Sequence, residues 1–201
     1  MSVLVVTGTG TGVGKTVVTA ALAALAATRG SRVAVVKPAQ TGTGPTDPGD
    51  LDDVRRLAGV TDLHEDARFP DPLSPAAAAR NAGRAALDLG ATAREIQSLA
   101  TDRDLVVVEG AGGLLVRYDD DGATLAGVVL GTWPADPDLA CRSNVRDLEM
   151  LSARPLSGAM PADAGRLDAA DFRHAARAGL GPDLGGVFDA ADFRRASDRA
   201  T

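Results

Sequence analysis

Residues 8–16 read Gly-Thr-Gly-Thr-Gly-Val-Gly-Lys-Thr. Glycines at 12 and 14 let the backbone turn its N–H groups inward, the arrangement that cradles phosphate oxygens. Lys15 then stands where an ammonium reaches the β- and γ-phosphates of a nucleotide, and Thr16 where a hydroxyl ligates Mg2+. The spacing from Gly8 to Gly14 is one residue longer than the common form, and Thr9 takes the place of the usual first glycine. The alternative, a plain glycine turn, fits poorly, because the stretch follows an apolar run and opens a helix.

Two further residues join this loop by position. Lys37 ends the apolar run Arg32–Lys37, and Glu109 ends Leu105–Glu109. A lysine at the end of a buried strand pays desolvation unless it meets an anion. Glu109 suits a carboxylate that holds Mg2+ directly or through water. In open parallel sheets, ligands bind beyond the carboxyl ends of the strands, so the three strand ends point to one crevice. Of the 21 lysines and arginines, only Lys15 and Lys37 are lysines. A compact ammonium is therefore kept at these two places in a chain that otherwise uses the broad guanidinium fork. Thr41 can hydrogen-bond a substrate, and Asp50 is a candidate metal carboxylate. Asp47, beside Pro48, reads as turn chemistry.

Other reactive side chains carry less. His64 and His174 have no metal-ligand spacing and read as surface or packing residues. Cys141 reads as an inert small residue. Asp119-Asp120-Asp121-Gly122 reads as a solvated turn. Trp133 suits either stacking on a base or packing at the rim.

These residues need a scaffold, and the pattern supplies one. Ser2–Thr7, Arg32–Lys37, Leu105–Glu109 and Gly127–Leu130 read as buried strands, the second stopped by Pro38. Thr16–Arg29, Leu51–Ala58, a stretch opened by Ser74-Pro75, and Ala91–Leu99 read as helices. DAADFR occurs at Asp168–Arg173 and again at Asp189–Arg194, each copy a short helix capped by its first Asp. Alternating strands and helices imply an α/β fold of the P-loop NTPase type, one parallel sheet flanked by helices, in a single domain over residues 1–201. The net charge of −6 argues against a nucleic-acid partner. One cysteine excludes an internal disulfide and fits a reducing cytoplasm. No apolar run approaches a membrane span or a secretory core, so no membrane partner and a cytoplasmic location are expected.

The combination of motifs resembles the dethiobiotin synthetases of actinobacterial type. It is carried by VTGTGTGVGKT (Val6–Thr16), VKPAQTG (Val36–Gly42), Gly49-Asp50-Leu51, PLSPAAAA (Pro72–Ala79), VEGAGGLLV (Val108–Val116), GTWP (Gly131–Pro134) and the PADAG stretch from Pro161. The resemblance implies a cytoplasmic, homodimeric ligase of biotin biosynthesis. Its substrates would be ATP, CO2 and 7,8-diaminopelargonate, with Mg2+ as cofactor. It implies that Thr11, Gly12, Val13, Gly14, Lys15, Thr16 and Val17 hold the phosphates, and that Thr16, Asp50 and Glu109 hold the metal. Lys37 and Lys15 would be catalytic, and Thr41 and Lys37 would meet the substrate. Glu109, Gly110, Ala111 and Gly112 would lie along the nucleotide and substrate. Gly131, Thr132, Pro161, Ala162 and Asp163 would border base and ribose. Other readings are an ATP-driven switch of the partition type, an amidotransferase-like synthetase of cobalamin synthesis, or an impaired nucleotide-binding relative.

One departure is visible. In the family a further strand and helix precede the GVVLGTW strand, whereas here Thr124-Leu125-Ala126 runs straight into Gly127. The crossover Gly110–Ala126 has 17 residues, against 24 for Gly8–Ser31 and 67 for Pro38–Asp104. That is short for a βαβ connection. The expected consequence is an intact nucleotide end and a weakened substrate end.

Overall fold

The structure is a computed structural model, and it describes residues 2–112 and 125–199. The calls on Asp119–Gly122 and on Gly113–Val116 fall outside those residues.

The elements run β1 (Ser2–Val6), α1 (Lys15–Thr28), β2 (Val33–Thr41), α2 (Asp50–Ala58), β3 (Leu63–Phe69), α3 (Pro75–Asn81), α4 (Leu89–Asp102) and β4 (Leu105–Glu109). They continue with β5 (Val129–Trp133), α5 (Leu139–Ser152), β6 (Gly158–Pro161), α6 (Ala169–Gly179) and α7 (Ala190–Arg199). The strands are parallel and flanked by helices, as the alternation predicts, and among the described residues they pair in two groups. Four pair in the order β1-β4-β2-β3, and β5 pairs with β6 separately.

Helix α1 is the centre of the core. Its Ala- and Leu-rich face is buried against Val6, Val33, Val35 and Val107 of the larger sheet and against Phe172, Ala176 and Leu180 from the α6 side. On the other face, Ala100 and the partly buried Ile96 and Leu99 of α4 cover Val36, Val106 and Val108. The Asp caps of the two DAADFR copies form as expected: Asp168 accepts from the N–H groups of Ala170 and Asp171, and Asp189 from that of Asp192.

Three expectations are corrected. Strand β2 does not stop at Pro38 but runs to Thr41. Its pairing with β4 ends at Val36, so Pro38 sits where β2 has become an edge on that side and needs no N–H there. The strand predicted at Gly127–Leu130 begins at Val129 and runs to Trp133. The sequence pattern predicts neither strands β3 and β6 nor helix α5, all of which the structure contains.

Candidate functional site

The carboxyl ends of β1, β2 and β4 meet at one carboxylate. Glu109 Oε1 accepts from Lys37 Nζ at 2.9 Å and from Thr16 Oγ1 at 2.9 Å. Lys37 Nζ also lies 2.5 Å from Asp50 Oδ2. Lys37 is 3% exposed and Glu109 0%. Strand register explains the convergence: Val6 pairs with Glu109 and Val36 with Val108, so the loop after β1, the end of β2 and the end of β4 stand side by side. The Gly110 N–H donates to the Val6 carbonyl at 2.9 Å and holds the chain after Glu109 against the glycine loop.

The electrostatics follow from burial. Burial pulls the Lys37 ammonium down, but Glu109 and Asp50 more than offset it and hold the pKa above the ordinary lysine value. Burial pushes Glu109 up, and the negative charge of Asp50 adds to it against the pull of Lys37 and Thr16. The two directions oppose each other within one ion pair. The ammonium is the better satisfied member, with two carboxylate oxygens in reach, whereas Glu109 Oε2 is buried with no partner. Lys15 is pushed down by burial first and then by the positive charge of Lys37. Its Nζ donates to the Gly10 carbonyl of its own loop at 2.6 Å.

The loop has the backbone it requires. Gly12 and Gly14 have φ of 77° and 92°, in the left-handed region. Gly14 also meets β5. A Cβ there would lie 2.5 Å from the Gly131 carbonyl oxygen, and a Cβ on Gly131 would lie 2.2 Å from that of Val13. Gly131 therefore belongs to the wall of the loop. Thr11 is exposed, and Val13, Thr16 and Val17 are half-buried at the start of α1. Ala111 and Gly112 are half-buried beyond Gly110.

The remaining residues form a rim. Thr132, Pro161, Ala162 and Asp163 are exposed at the ends of β5 and β6. The Ala162 N–H donates to the Trp133 carbonyl at 2.9 Å, and a Cβ on Gly165 would stand 3.4 Å from Val17 Cγ2, so this segment borders the start of α1. Thr41, half-buried, closes β2 four residues beyond Lys37. Trp133 packs edge-on against Phe193 of α7, with ring centroids 5.0 Å apart. Asp47 acts as turn chemistry, its Oδ2 accepting from the Gly44 N–H. His174 is exposed, and His64 lies between Asp62 and Glu95.

Sequence reasoning overlooked the residues that aim Asp50. Gln40 is 5% exposed, and its Oε1 accepts from the Asp50 N–H at the start of α2. Arg68 on β3 donates to Glu65 through Nε and Nη2 and, through Nη1, to the carbonyls of Gly44 and Asp47. It pins the loop between β2 and α2. A polar Gln inside an otherwise buried run was the available signal for Gln40. Arg68 gave none, because its strand went unrecognised.

Among the described residues no three His, Cys, Asp or Glu side chains gather as a metal cluster. The carboxylates here are two, Asp50 and Glu109, with the Lys37 ammonium between them. Mg2+ is commonly bound through one or two carboxylates completed by substrate phosphates and water. The orphaned, buried Glu109 Oε2 beside the Thr16 hydroxyl fits such an ion.

Comparison with known proteins gives a consistent result. Residues 2–126 match the AAA_26 family model, described as an AAA domain. The ATP-dependent dethiobiotin synthetase of Frankia casuarinae is 54% identical over 93% of this chain and 95% of its own. That of Streptomyces coelicolor is 48% identical with the same coverage, and that of Rhodococcus jostii 44% identical over 88% and 93%. The first alignment spans 226 residues, more than the 201 of this chain, of which it takes up 93%. Roughly 40 of its positions therefore have no counterpart in this chain. Among solved structures, chloroplast FtsY of Physcomitrella patens is similar at 17% identity and a TM-score of 0.38, over 98% of this chain and 64% of that one. Among the described residues no helix is long and apolar enough to cross a membrane.

Proposed function

The chain belongs to the family of ATP-dependent dethiobiotin synthetases, and from that premise we propose that it closes a cyclic urea on 7,8-diaminopelargonate with CO2, converting ATP to ADP and phosphate. The observation that carries the reading is the Lys37 ammonium, buried between Asp50 and Glu109 beside the phosphate loop.

One amine of the substrate adds to CO2 and loses a proton, giving a carbamate. A carbamate oxygen attacks the γ-phosphorus, and the bond to the bridging oxygen breaks as ADP leaves. The second amine then attacks the carbamoyl carbon, phosphate departs, and the ring closes. The first attack brings two anions together. Lys15 and Lys37 offset that repulsion and stabilise the charge spread over the transferring phosphoryl group. Backbone N–H groups of residues 11–17 hold the phosphates. Ring closure depends on positioning, and Thr41 with Lys37 orients the diamine. Thr16, Asp50 and Glu109 would hold Mg2+, which supplies charge neutralisation at the phosphate oxygens. Gly110, Ala111 and Gly112 lie along the nucleotide and substrate, while Gly131, Thr132, Pro161, Ala162 and Asp163 border base and ribose. The protein acts in the cytoplasm as a homodimer, on small molecules, with neither nucleic acid nor membrane as partner.

The test is incubation with ATP, Mg2+, bicarbonate and diaminopelargonate, read by mass spectrometry. Dethiobiotin should appear in step with ADP. ATP turnover that never yields dethiobiotin would sink the proposal.

A further inference from the structure

The Lys37 ammonium and the proposed metal ion lay claim to the same two carboxylates. Lys37 Nζ stands 2.5 Å from Asp50 Oδ2 and 2.9 Å from Glu109 Oε1. Both contacts are charge-assisted, and together they neutralise the ammonium. Held there, Lys37 has no charge to spare for a carbamate or a γ-phosphate. A divalent ion bound by Asp50 and Glu109 would meet the ammonium that already bridges them, and two cations on one pair of carboxylates repel.

The three side chains differ in how firmly they are fixed. Glu109 ends β4, is 0% exposed, and its Oε1 also accepts from Thr16 Oγ1 at 2.9 Å. Asp50 opens α2, and its N–H donates to Gln40 Oε1 at 2.9 Å. Gly49 before it is boxed in, since a Cβ would stand 2.7 Å from Arg68 Nη2 and 3.0 Å from Gln40 Oε1. Lys37 is fixed at its backbone, opposite Glu65 of β3, but its ammonium rides on a flexible four-carbon stem. The cation is therefore the member of the trio that can move.

Two openings admit a second cation. The Asp50 side chain is 33% exposed, against 4% for Lys37 and 1% for Glu109. Glu109 Oε2 is buried without a partner, a costly state that the ammonium leaves unrelieved. Charge favours a swap as well. Two carboxylates and one ammonium leave a negative charge over, whereas two carboxylates and a divalent ion balance, and the ammonium is then free to meet an anion.

We infer that Lys37 and Mg2+ exchange at Asp50 and Glu109: the ammonium holds the two carboxylates until the metal takes them, and only then turns to the anions of the reaction. This exchange presupposes the proposed ligase reading, which supplies the metal and the anions. It makes metal entry the event that arms Lys37.

Mn2+, a hard ion suited to the same oxygen ligands, is titrated into the protein without nucleotide, and free ion is followed by electron paramagnetic resonance. Lys37→Met removes the competitor and should bind one Mn2+ at least tenfold more tightly than the wild-type chain. Asp50→Asn added to it should abolish the gain. Mn2+ should also raise the urea midpoint of Lys37→Met more than that of wild type. Equal or weaker Mn2+ binding by folded Lys37→Met overturns the inference, and so does a gain that survives Asp50→Asn. Should Lys37→Met not fold, the wild-type chain carries the test, because its two lysines give only two side-chain signals in a 13C-lysine NMR spectrum. Lys15→Arg assigns them. ADP with EDTA should leave the Lys37 signal in place, and Mg2+ added to ADP should move it. An equal shift with ADP alone, or none at saturating Mg2+ and ADP, overturns the exchange. Dethiobiotin is not among these readouts: failure here leaves the ligase assay standing, and a chain that swaps its cations but makes no dethiobiotin retains the exchange.

Discussion

The four-stranded sheet and the two-stranded sheet handle their strands differently. In the first, β2 and β4 are flanked on both sides and covered on both faces, and their ends carry Lys37 and Glu109. In the second, among the described residues, β5 pairs with β6 and β6 adds a single bridge from Gly158 to Leu180, and what they bring to the site is backbone and rim. Buried charge is held where the packing is complete, because only surrounding structure can keep an ammonium and two carboxylates at fixed distance. In the proposed reaction the chemistry rests on the first sheet and the placement of ligand on the second.

The sharpest way to break this comparison is Lys37→Met. It leaves Asp50 and Glu109 facing each other without the cation between them, which should cost about 3–5 kcal/mol in urea unfolding. Dethiobiotin formation should also fall by at least about 100-fold. A loss equal to that of a rim substitution would show that the first sheet is not where the chemistry lies. Gly131→Ala comes next. Its Cβ must push on the Val13 carbonyl, so ATP affinity, followed by calorimetry, should fall about tenfold while unfolding changes less. The short Gly110–Ala126 crossover predicts a split in the same titration: nucleotide binds well and diaminopelargonate binds roughly tenfold or more weakly than to the Frankia casuarinae protein. Gln40→Leu removes the acceptor of the Asp50 N–H. It should raise the Mg2+ concentration needed for half-maximal rate several-fold, roughly the loss of one hydrogen bond, and leave the ATP site folded.

The smallest effect is on pH dependence. The Lys37 pKa is raised by folding, so its contribution to stability is complete below about 10.5 and is lost as pH climbs from there through the folded value. Lys37→Met should flatten the alkaline limb of a stability–pH curve. Asp62 has the opposite sign. Partial burial pushes its carboxyl up, but bonds from Arg103 and His64 hold it below the usual aspartate value. Its contribution is present above about 3.8 and fades as pH falls below that.

The legible and illegible parts of the sequence differ in composition for physical reasons. Strands β2 and β4 carry runs of Val and Ala because both faces are buried there, and such runs are readable, as is the apolar run of β1, although its Val3 and Val5 stay exposed. Strand β3 reads LHEDARF, since among the described residues it is an edge strand paired with β2 alone: its Arg68 pins the loop before α2, its His64 meets Glu95 of α4, and only Phe69 is fully buried. Helix α5 escaped notice because one buried residue leaves no apolar stripe. The glycine loop, Lys37 and Glu109 were readable because each is a costly residue in its place. The carboxylate between them was readable only as a candidate, because its aim depends on Gln40 and Arg68, which act through hydrogen bonds that leave no spacing in the sequence.

The burial of Lys37 has a practical corollary. The chain holds two lysines, and one is sealed between carboxylates while the other is half-exposed in the glycine loop. An acylating reagent applied to the folded protein therefore has one accessible side-chain amine, at Lys15, besides the terminal amine. The mass added by such a reagent reports occupancy of the phosphate loop directly, and denaturing the protein before labelling counts Lys37 in addition.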